Sequence, residues 1–342
     1  MTQPVDSSLV DGCGRIVSYL RVSVTDRCNL KCRYCCPSIL FKPFPHEDVI
    51  SYEEITRVAQ VLALKGVSSI RITGGEPLVR KNLDRLIGSL SRVPGIKDIS
   101  LTTNGLLLED YAETLSKAGL TRVNVSLDSC IPERFNWITR SRPANGHDGP
   151  TIVLKGIEAA RRAGLGPIKI NVVLMRGIND DEVFRFTDMT RDQEDEVRFI
   201  EFMPLCPEIF WGNELIITSS EIMEKIEESR GPLTAVGRGI GAGPAVRYRI
   251  AGHAGTIGFI SAISNHFCAG CNRIRLTANG RLLPCLFSDL ETDLLNPLRS
   301  GAEDREILSL VEGVLRNKPS GHGITEGPCC PVCSRSMLNI GG

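Results

Sequence analysis

The chain has 342 residues, 42% of them hydrophobic, and its 40 basic side chains balance its 40 acidic ones. That length and composition suit one large α/β domain, alone or with a smaller companion, around a full buried core. A net charge of zero argues against nucleic acid or an anionic membrane as the main partner, since both reward a strongly basic face.

A local group of Arg around a phosphorylated small molecule stays open. No apolar run approaches the roughly 18 to 20 residues that span a bilayer, and Met1 to Gly14 has no apolar signal-peptide core. A soluble protein is expected. Thirteen Cys is a high count for such a chain, and closely spaced Cys in an intracellular setting more often bind metal than pair as disulfides.

In chain order, short β-branched runs alternate with amphipathic stretches. The expected strands are Leu20–Val24, Ser69–Thr73, Asp98–Thr103, Arg122–Ser126, Ile168–Leu174 and Val197–Phe202. Helices are expected at Tyr52–Lys65, Leu83–Ser91, Asp110–Ala118, Thr151–Ala163 and Asp181–Arg191. Ser51 and Glu54 have capping-box spacing, and Gly66 stands where a C-cap glycine belongs. Six strand–helix alternations imply parallel strands joined by crossovers, which fits either a doubly wound sheet or a barrel. The chemistry-rich segments follow the strands: Cys28 to Cys35, Gly74-Gly75-Glu76-Pro77, Thr102 to Gly105, Ser126 to Asp128, and Met203-Pro204. Loops at the carboxyl ends of barrel strands build one site, so this placement favours a barrel or partial barrel.

Gly231 to Gly243 reads as a linker or loop. Beyond it short strands are expected at Ala245–Ile250, Thr256–Ile260, Arg273–Thr277 and Arg281–Leu283, with Asn279-Gly280 as a hairpin turn. Glu303 to Leu315 reads as one more helix. Arg140 to Pro150 reads as an enlarged surface loop.

Cys28, Cys32 and Cys35 place three thiols within eight residues, just after the first strand. Such a loop can wrap one face of an iron–sulfur cubane, leaving the fourth iron open. The alternative is a zinc knuckle, which needs a fourth ligand. A second trio, Cys268, Cys271 and Cys285, also lacks an obvious fourth member. From spacing it suits a zinc site completed by His266 or a tail Cys as well as it suits a second cluster.

The three-then-two Cys spacing, with Tyr34 before the last Cys, resembles the radical S-adenosylmethionine superfamily, and Gly74-Gly75-Glu76-Pro77 resembles its second motif. Longer blocks narrow the resemblance: Arg-Val-Ser-Val-Thr-Asp-Arg-Cys at 21–28, Ile-Arg-Ile-Thr-Gly-Gly-Glu-Pro at 70–77 and Leu-Thr-Thr-Asn-Gly at 101–105. Asn-Val-Ser-Leu-Asp at 124–128, Arg-Phe-Ile-Glu-Phe-Met-Pro at 198–204 and the closing Ile-Gly-Gly belong to the same set. Together, over about Gly14 to Gly342, they are similar to the GTP 3′,8-cyclases, which perform the first step of molybdenum cofactor biosynthesis.

That resemblance implies a partial (β/α)6 barrel over residues 14–235 and a smaller C-terminal α+β region over 236–342 carrying a second cluster. It implies two [4Fe–4S] clusters, one on Cys28, Cys32 and Cys35 and one on Cys268, Cys271 and Cys285. S-adenosylmethionine would meet Tyr34, Gly75, Ser126 and Met203, with the Gly pair letting backbone approach it closely. GTP would meet Arg21, Arg71, Thr102, Lys169, Arg273 and Arg275, the last two having a catalytic part. Arg forks suit phosphate oxygens, and Arg71 and Arg273 alternate with apolar residues in strands expected to be buried.

The resemblance further implies that a 5′-deoxyadenosyl radical takes the ribose 3′ hydrogen and that the sugar then closes on guanine carbon 8. An external donor of flavodoxin or ferredoxin type would supply electrons. The product would pass to cyclic pyranopterin monophosphate synthase. A homodimer is compatible, and the compartment would be the cytoplasm, or the mitochondrial matrix of a eukaryote.

Some residues depart from the pattern. Cys36 stands where the family usually has Met, and reads as a small apolar substitute. Cys13, Cys130 and Cys206 read as structural. Cys329, Cys330 and Cys333 fall outside the pattern and could bind metal, form a disulfide or be incidental. Gly341-Gly342 would reach toward the active site. A peptide-modifying enzyme with an auxiliary cluster is a second reading and a metal-binding scaffold a third, although a scaffold has no use for Gly-Gly-Glu-Pro.

Overall fold

The first strand sets the rule for the sheet. In Tyr19-Leu20-Arg21-Val22-Ser23, Leu20 and Val22 are fully buried on one face, and Tyr19 and Arg21 stand on the other. Parallel strands covered by helices on both faces are apolar almost throughout. Strict alternation means that one face meets helices and the other a polar interior.

A computed structural model describes residues 8–35, 42–141, 148–203, 212–237, 243–321 and 337–341. Its parallel core is β1 (Tyr19–Ser23), β2 (Ser69–Thr73), β3 (Asp98–Thr103), β4 (Arg122–Ser126), β5 (Lys169–Leu174) and β6 (Glu196–Glu201). These strands lie in sequence order, each parallel to the next. A doubly wound sheet reverses its order at a switch point; this one does not. The helices α1 (Tyr52–Ala63), α2 (Leu83–Ser91), α3 (Leu108–Ala118), α4 (Pro132–Thr139), α5 (Gly149–Arg162) and α6 (Val183–Asp188) fill the crossovers. α1 packs on α2, α2 on α3 and α3 on α5, as neighbours in one layer outside the sheet do. The partial barrel expected from the sequence is therefore the fold.

Local chemistry sets the element ends as the sequence implies. Ser51 accepts from the Glu54 N–H while Glu54 accepts from the Ser51 N–H at 2.7 Å, a complete capping box on α1. Gly119 ends α3 at φ 108°, a conformation costly for a residue with a Cβ.

The C-terminal strands extend the same sheet at both edges. β10 (Arg273–Leu276) pairs parallel with β1, followed by antiparallel β11 (Arg281–Leu283) and β12 (Thr292–Asp293). β9 (Thr256–Ile260) pairs parallel with β6, followed by antiparallel β8 (Val246–Ile250) and β7 (Leu233–Val236). α9 (Asp304–Arg316) packs against α1; α7 (Ser219–Arg230), α8 (Leu295–Arg299) and α10 (Met337–Ile340) complete the described helices.

Three expectations are corrected. The Gly-rich stretch read as a linker contains β7, because pairing with β8 outweighs local composition. The loop expected over Arg140 to Pro150 ends earlier: Gly149 and Pro150 are buried in the first turn of α5, capped by Asp148 accepting from the Thr151 N–H at 2.7 Å. α4 and α7 were not expected; α7 buries only Ser219, Ile222 and Ile226.

Candidate active site

The polar faces of the parallel strands meet across a cavity of about 310 Å³. Register brings Arg21 beside Arg71 and Arg275, Asn124 beside Lys169, and Asn171 beside Arg198. Cys28, Cys32 and Cys35 border the cavity, and so do Cys268, Cys271 and Cys285. Tyr34, Gly75, Ser126 and Met203 line the same space, as do Arg21, Arg71, Thr102, Arg273 and Arg275. Lys169 alone among the expected site residues does not; it is 2% exposed, deeper on the same inner face.

Backbone bonds hold the first Cys loop from two sides. Lys31 and Arg33 donate their N–H groups to the Thr139 and Ile138 carbonyls at 3.0 and 2.8 Å, which fixes the loop to the end of α4. Gly75 and Glu76 donate to the Thr25 and Arg27 carbonyls at 2.7 and 2.8 Å. A Cβ on Gly75 would lie 2.5 Å from the Arg27 oxygen, and one on Gly74 would lie 2.7 Å from the Thr25 oxygen. The Gly pair thus makes room for the backbone of residues 25–27.

Burial, then the neighbouring Cys35 and Asp128, push the Cys32 thiol well up. Three thiolates here need cations between them, as the irons of a cluster provide. The donor set, three Cys thiols of one loop at the edge of the cavity, fits a cluster. His266, weighed as a zinc ligand, is exposed.

Several functional neighbours had no role assigned from sequence. Glu76 is buried and accepts from Thr103 Oγ1 at 2.7 Å, the Asn104 N–H at 2.7 Å and the Leu78 N–H at 3.0 Å. Burial brings its carboxyl up to about 7 against those bonds. Asn104 in turn donates to Asn29 Oδ1 at 2.7 Å, beside Cys28. Tyr34 donates its hydroxyl to Asp128 at 2.6 Å, and the Val173 N–H donates to the other oxygen at 2.9 Å. Burial lifts Asp128 to about 6. Arg198 lines the cavity and donates to Glu196 at 2.5 Å; its alternation within β6 was the available signal.

The second trio stands on a short turn. The Cys271 N–H donates to the Cys268 carbonyl at 3.1 Å, and Cys285 follows β11. Burial raises the Cys271 thiol, but the Arg273 and Lys318 charges outweigh it and bring it to about 7. A thiol so easily ionised suits metal ligation. The tail enters here too: Arg275 Nη1 donates to the Gly341 carbonyl at 3.1 Å, and Met337 and Leu338 line the cavity. Cys36, Cys206, Cys329, Cys330, Cys333 and Gly342 lie outside the described residues.

Among the described residues, the parallel strands turn Arg21, Arg71, Arg122, Lys169, Arg198, Arg273 and Arg275 inward against the carboxylates Asp98 and Glu196, seven cations to two anions. Asp98 is taken by Arg122 and Glu196 by Arg198 and Arg247. Burial, then Arg275 and Arg71, hold Arg21 well below its usual range. Burial and nearby cations take Lys169 down to about 7, and burial and Arg273 take Arg275 to about 10. Cations crowded in low dielectric are stabilised by an anion of several charges.

Residues 22–189 match the Radical SAM superfamily and residues 195–324 match Molybdenum Cofactor Synthesis C. The GTP 3′,8-cyclase of Pelotomaculum thermopropionicum is 46% identical, over 96% of this chain and 98% of its own. The mitochondrial GTP 3′,8-cyclase of Arabidopsis thaliana is 39% identical, over 99% of this chain and 85% of its own. Streptococcus suis SuiB, solved with S-adenosylmethionine, shares the fold at TM-score 0.57 and 15% identity, over 86% of this chain and 67% of its own. With both Cys trios on one cavity and near-full-length identity of this order, the chain belongs to the GTP 3′,8-cyclase family of the radical S-adenosylmethionine superfamily.

Proposed function

We propose that this chain converts GTP to (8S)-3′,8-cyclo-7,8-dihydroguanosine 5′-triphosphate, the first step of molybdenum cofactor biosynthesis, using two [4Fe–4S] clusters and S-adenosylmethionine. The observation that carries this reading is a single cavity bordered by two three-Cys sites and a girdle of buried cations. When bound, the first cluster with S-adenosylmethionine supplies a carbon radical for the ribose 3′ hydrogen, and the second supplies an open iron for the guanine.

The protein's part is placement. Cys28, Cys32 and Cys35 hold the first cluster, and Tyr34, Gly75, Ser126 and Met203 hold S-adenosylmethionine. Asp128 fixes the Tyr34 hydroxyl, and Glu76 fixes the loop end at Asn104. Cys268, Cys271 and Cys285 hold the second cluster. Arg21, Arg71, Arg273 and Arg275, with Thr102, engage GTP in the cavity, while Lys169 acts from beneath them on its triphosphate. The helix layer and the tail at Gly341 keep water from the reacting carbons.

The division near residue 235 separates the part that makes the radical from the part that holds the nucleotide's base. Electrons come from a flavodoxin- or ferredoxin-type donor. The product passes to cyclic pyranopterin monophosphate synthase. A homodimer is compatible with this function. Among the described residues no helix is long and apolar enough to cross a membrane; the compartment proposed is the cytoplasm, or the mitochondrial matrix in a eukaryote.

The test is anaerobic reconstitution followed by iron counting and 5′-deoxyadenosine measurement with and without GTP. About eight irons per chain and GTP-dependent turnover support the reading. Zinc without cleavage, or cleavage indifferent to GTP, contradicts it.

A further inference from the structure

Behind the second Cys trio lies a buried group of charges that none of these roles uses. Asp11 and Lys318 are 5% and 4% exposed, and the Arg15 side chain 9%. The N-terminal segment folds back through a bridge between Val10 and Ile16. Asp11 closes that turn, accepting from the Cys13 and Arg15 N–H groups at 2.9 and 3.0 Å and from Arg15 Nε at 2.6 Å. Its other near cation is Lys318, at 3.7 Å.

Other donors of both cations leave this group and reach the loop of the second trio. Arg15 Nη1 donates to the Cys268 carbonyl at 2.8 Å. Lys318 Nζ donates to the Cys271 and Arg273 carbonyls at 3.0 and 2.8 Å. Arg15 Nη2 binds the Pro319 carbonyl at 2.7 Å, which ties the two anchors together. Side chains from opposite ends of the chain thus hold both thiol-bearing residues of one short turn by their backbones. Two buried cations share one carboxylate, so the group carries one net positive charge behind the turn, and that charge faces the Cys271 thiol beside Arg273. Buried charge is costly unless it is paired and bonded, and here the bonding goes to the ligand loop.

We propose that Asp11, Arg15 and Lys318 are positioning residues for the second cluster. They fix the carbonyls of Cys268, Cys271 and Arg273, and so the aim of two thiols. The excess positive charge favours the more negative, reduced cluster and raises its potential. The inference rests on the reading that Cys268, Cys271 and Cys285 hold a cluster.

The test uses the full chain, reconstituted anaerobically, as Lys318→Met and Arg15→Lys beside the unsubstituted protein. Iron per chain, circular dichroism and the potential of each cluster by electron paramagnetic resonance are measured. Lys318→Met should shift the second cluster to more negative potential and take iron from about eight toward about four per chain, with the first cluster's signal kept. Arg15→Lys keeps the charge and loses the fork, so iron should fall without a shift in the cluster that remains. Full iron and unmoved potentials in both variants overturn the proposal. Loss of the folded spectrum in both also overturns it, since the group would then serve the fold rather than the cluster. An unsubstituted protein with only about four irons would remove the second cluster itself, a failure of the underlying reading and separable from the other outcomes.

Discussion

Lys169 offers the sharpest test of the cationic cavity. It is 2% exposed, with Glu196 beside it in register. Burial, then Arg198 and Arg122, take its ammonium from 10.5 down to about 7. The unfolded chain therefore binds more protons than the folded one between about pH 7 and 10.5, and stability rises with pH across that window. A depression of about 3.5 units at ~1.4 kcal/mol each makes the penalty roughly 4 to 5 kcal/mol at its fullest, below pH 7. Lys169→Met removes it. Without GTP, the variant should exceed the parent in stability by a few kcal/mol near pH 7.5, the gap closing by about 1.4 kcal/mol per pH unit toward pH 10. GTP binding should meanwhile weaken at least ~10-fold, the equivalent of one lost charged contact. Anaerobic urea unfolding at several pH values, with calorimetric GTP binding, reads both. A stability gap that does not change with pH would refute the reasoning.

Other substitutions probe the remaining parts. Gly75→Ala places a Cβ 2.5 Å from the Arg27 backbone oxygen, which cannot yield as a side chain can; S-adenosylmethionine affinity by equilibrium dialysis should fall sharply while the first cluster still assembles. Deleting Gly341 and Gly342 removes the carbonyl that receives Arg275; cyclised product should vanish with iron content intact, and unchanged product formation would sink the idea. Cys285→Ser should lower iron toward about four per chain and leave S-adenosylmethionine cleavage uncoupled from product, as mass spectrometry of the nucleotide products would show.

Much of this was legible in the chain, for physical reasons. The six core strands announced themselves because each buries β-branched residues against helices at a period of two, as in Ile70 and Ile72 of β2. Both Cys trios were legible because their spacing is local. β7 was hidden in a Gly-rich stretch because its stability comes from β8 rather than from its own residues. α7 was hidden because its polar sequence turns only a few apolar residues inward. Lys169 is named in the sequence through the family resemblance, but its depth below the cavity wall depends on the neighbouring strands. Glu76 and Asp128 lay inside recognised blocks without roles, since their partners Asn104 and Tyr34 come from other loops. Arg15 and Lys318 sit about 300 residues apart in sequence, and only the fold joins them at one turn.

The most direct test of the central claim is isotopic. GTP deuterated at the ribose 3′ carbon is turned over anaerobically with S-adenosylmethionine, and the 5′-deoxyadenosine is weighed by mass spectrometry. A cavity that holds the nucleotide between its two Cys trios should deliver one deuterium into 5′-deoxyadenosine, with a cyclised nucleotide formed alongside. 5′-Deoxyadenosine without deuterium, beside unaltered GTP, would contradict the account.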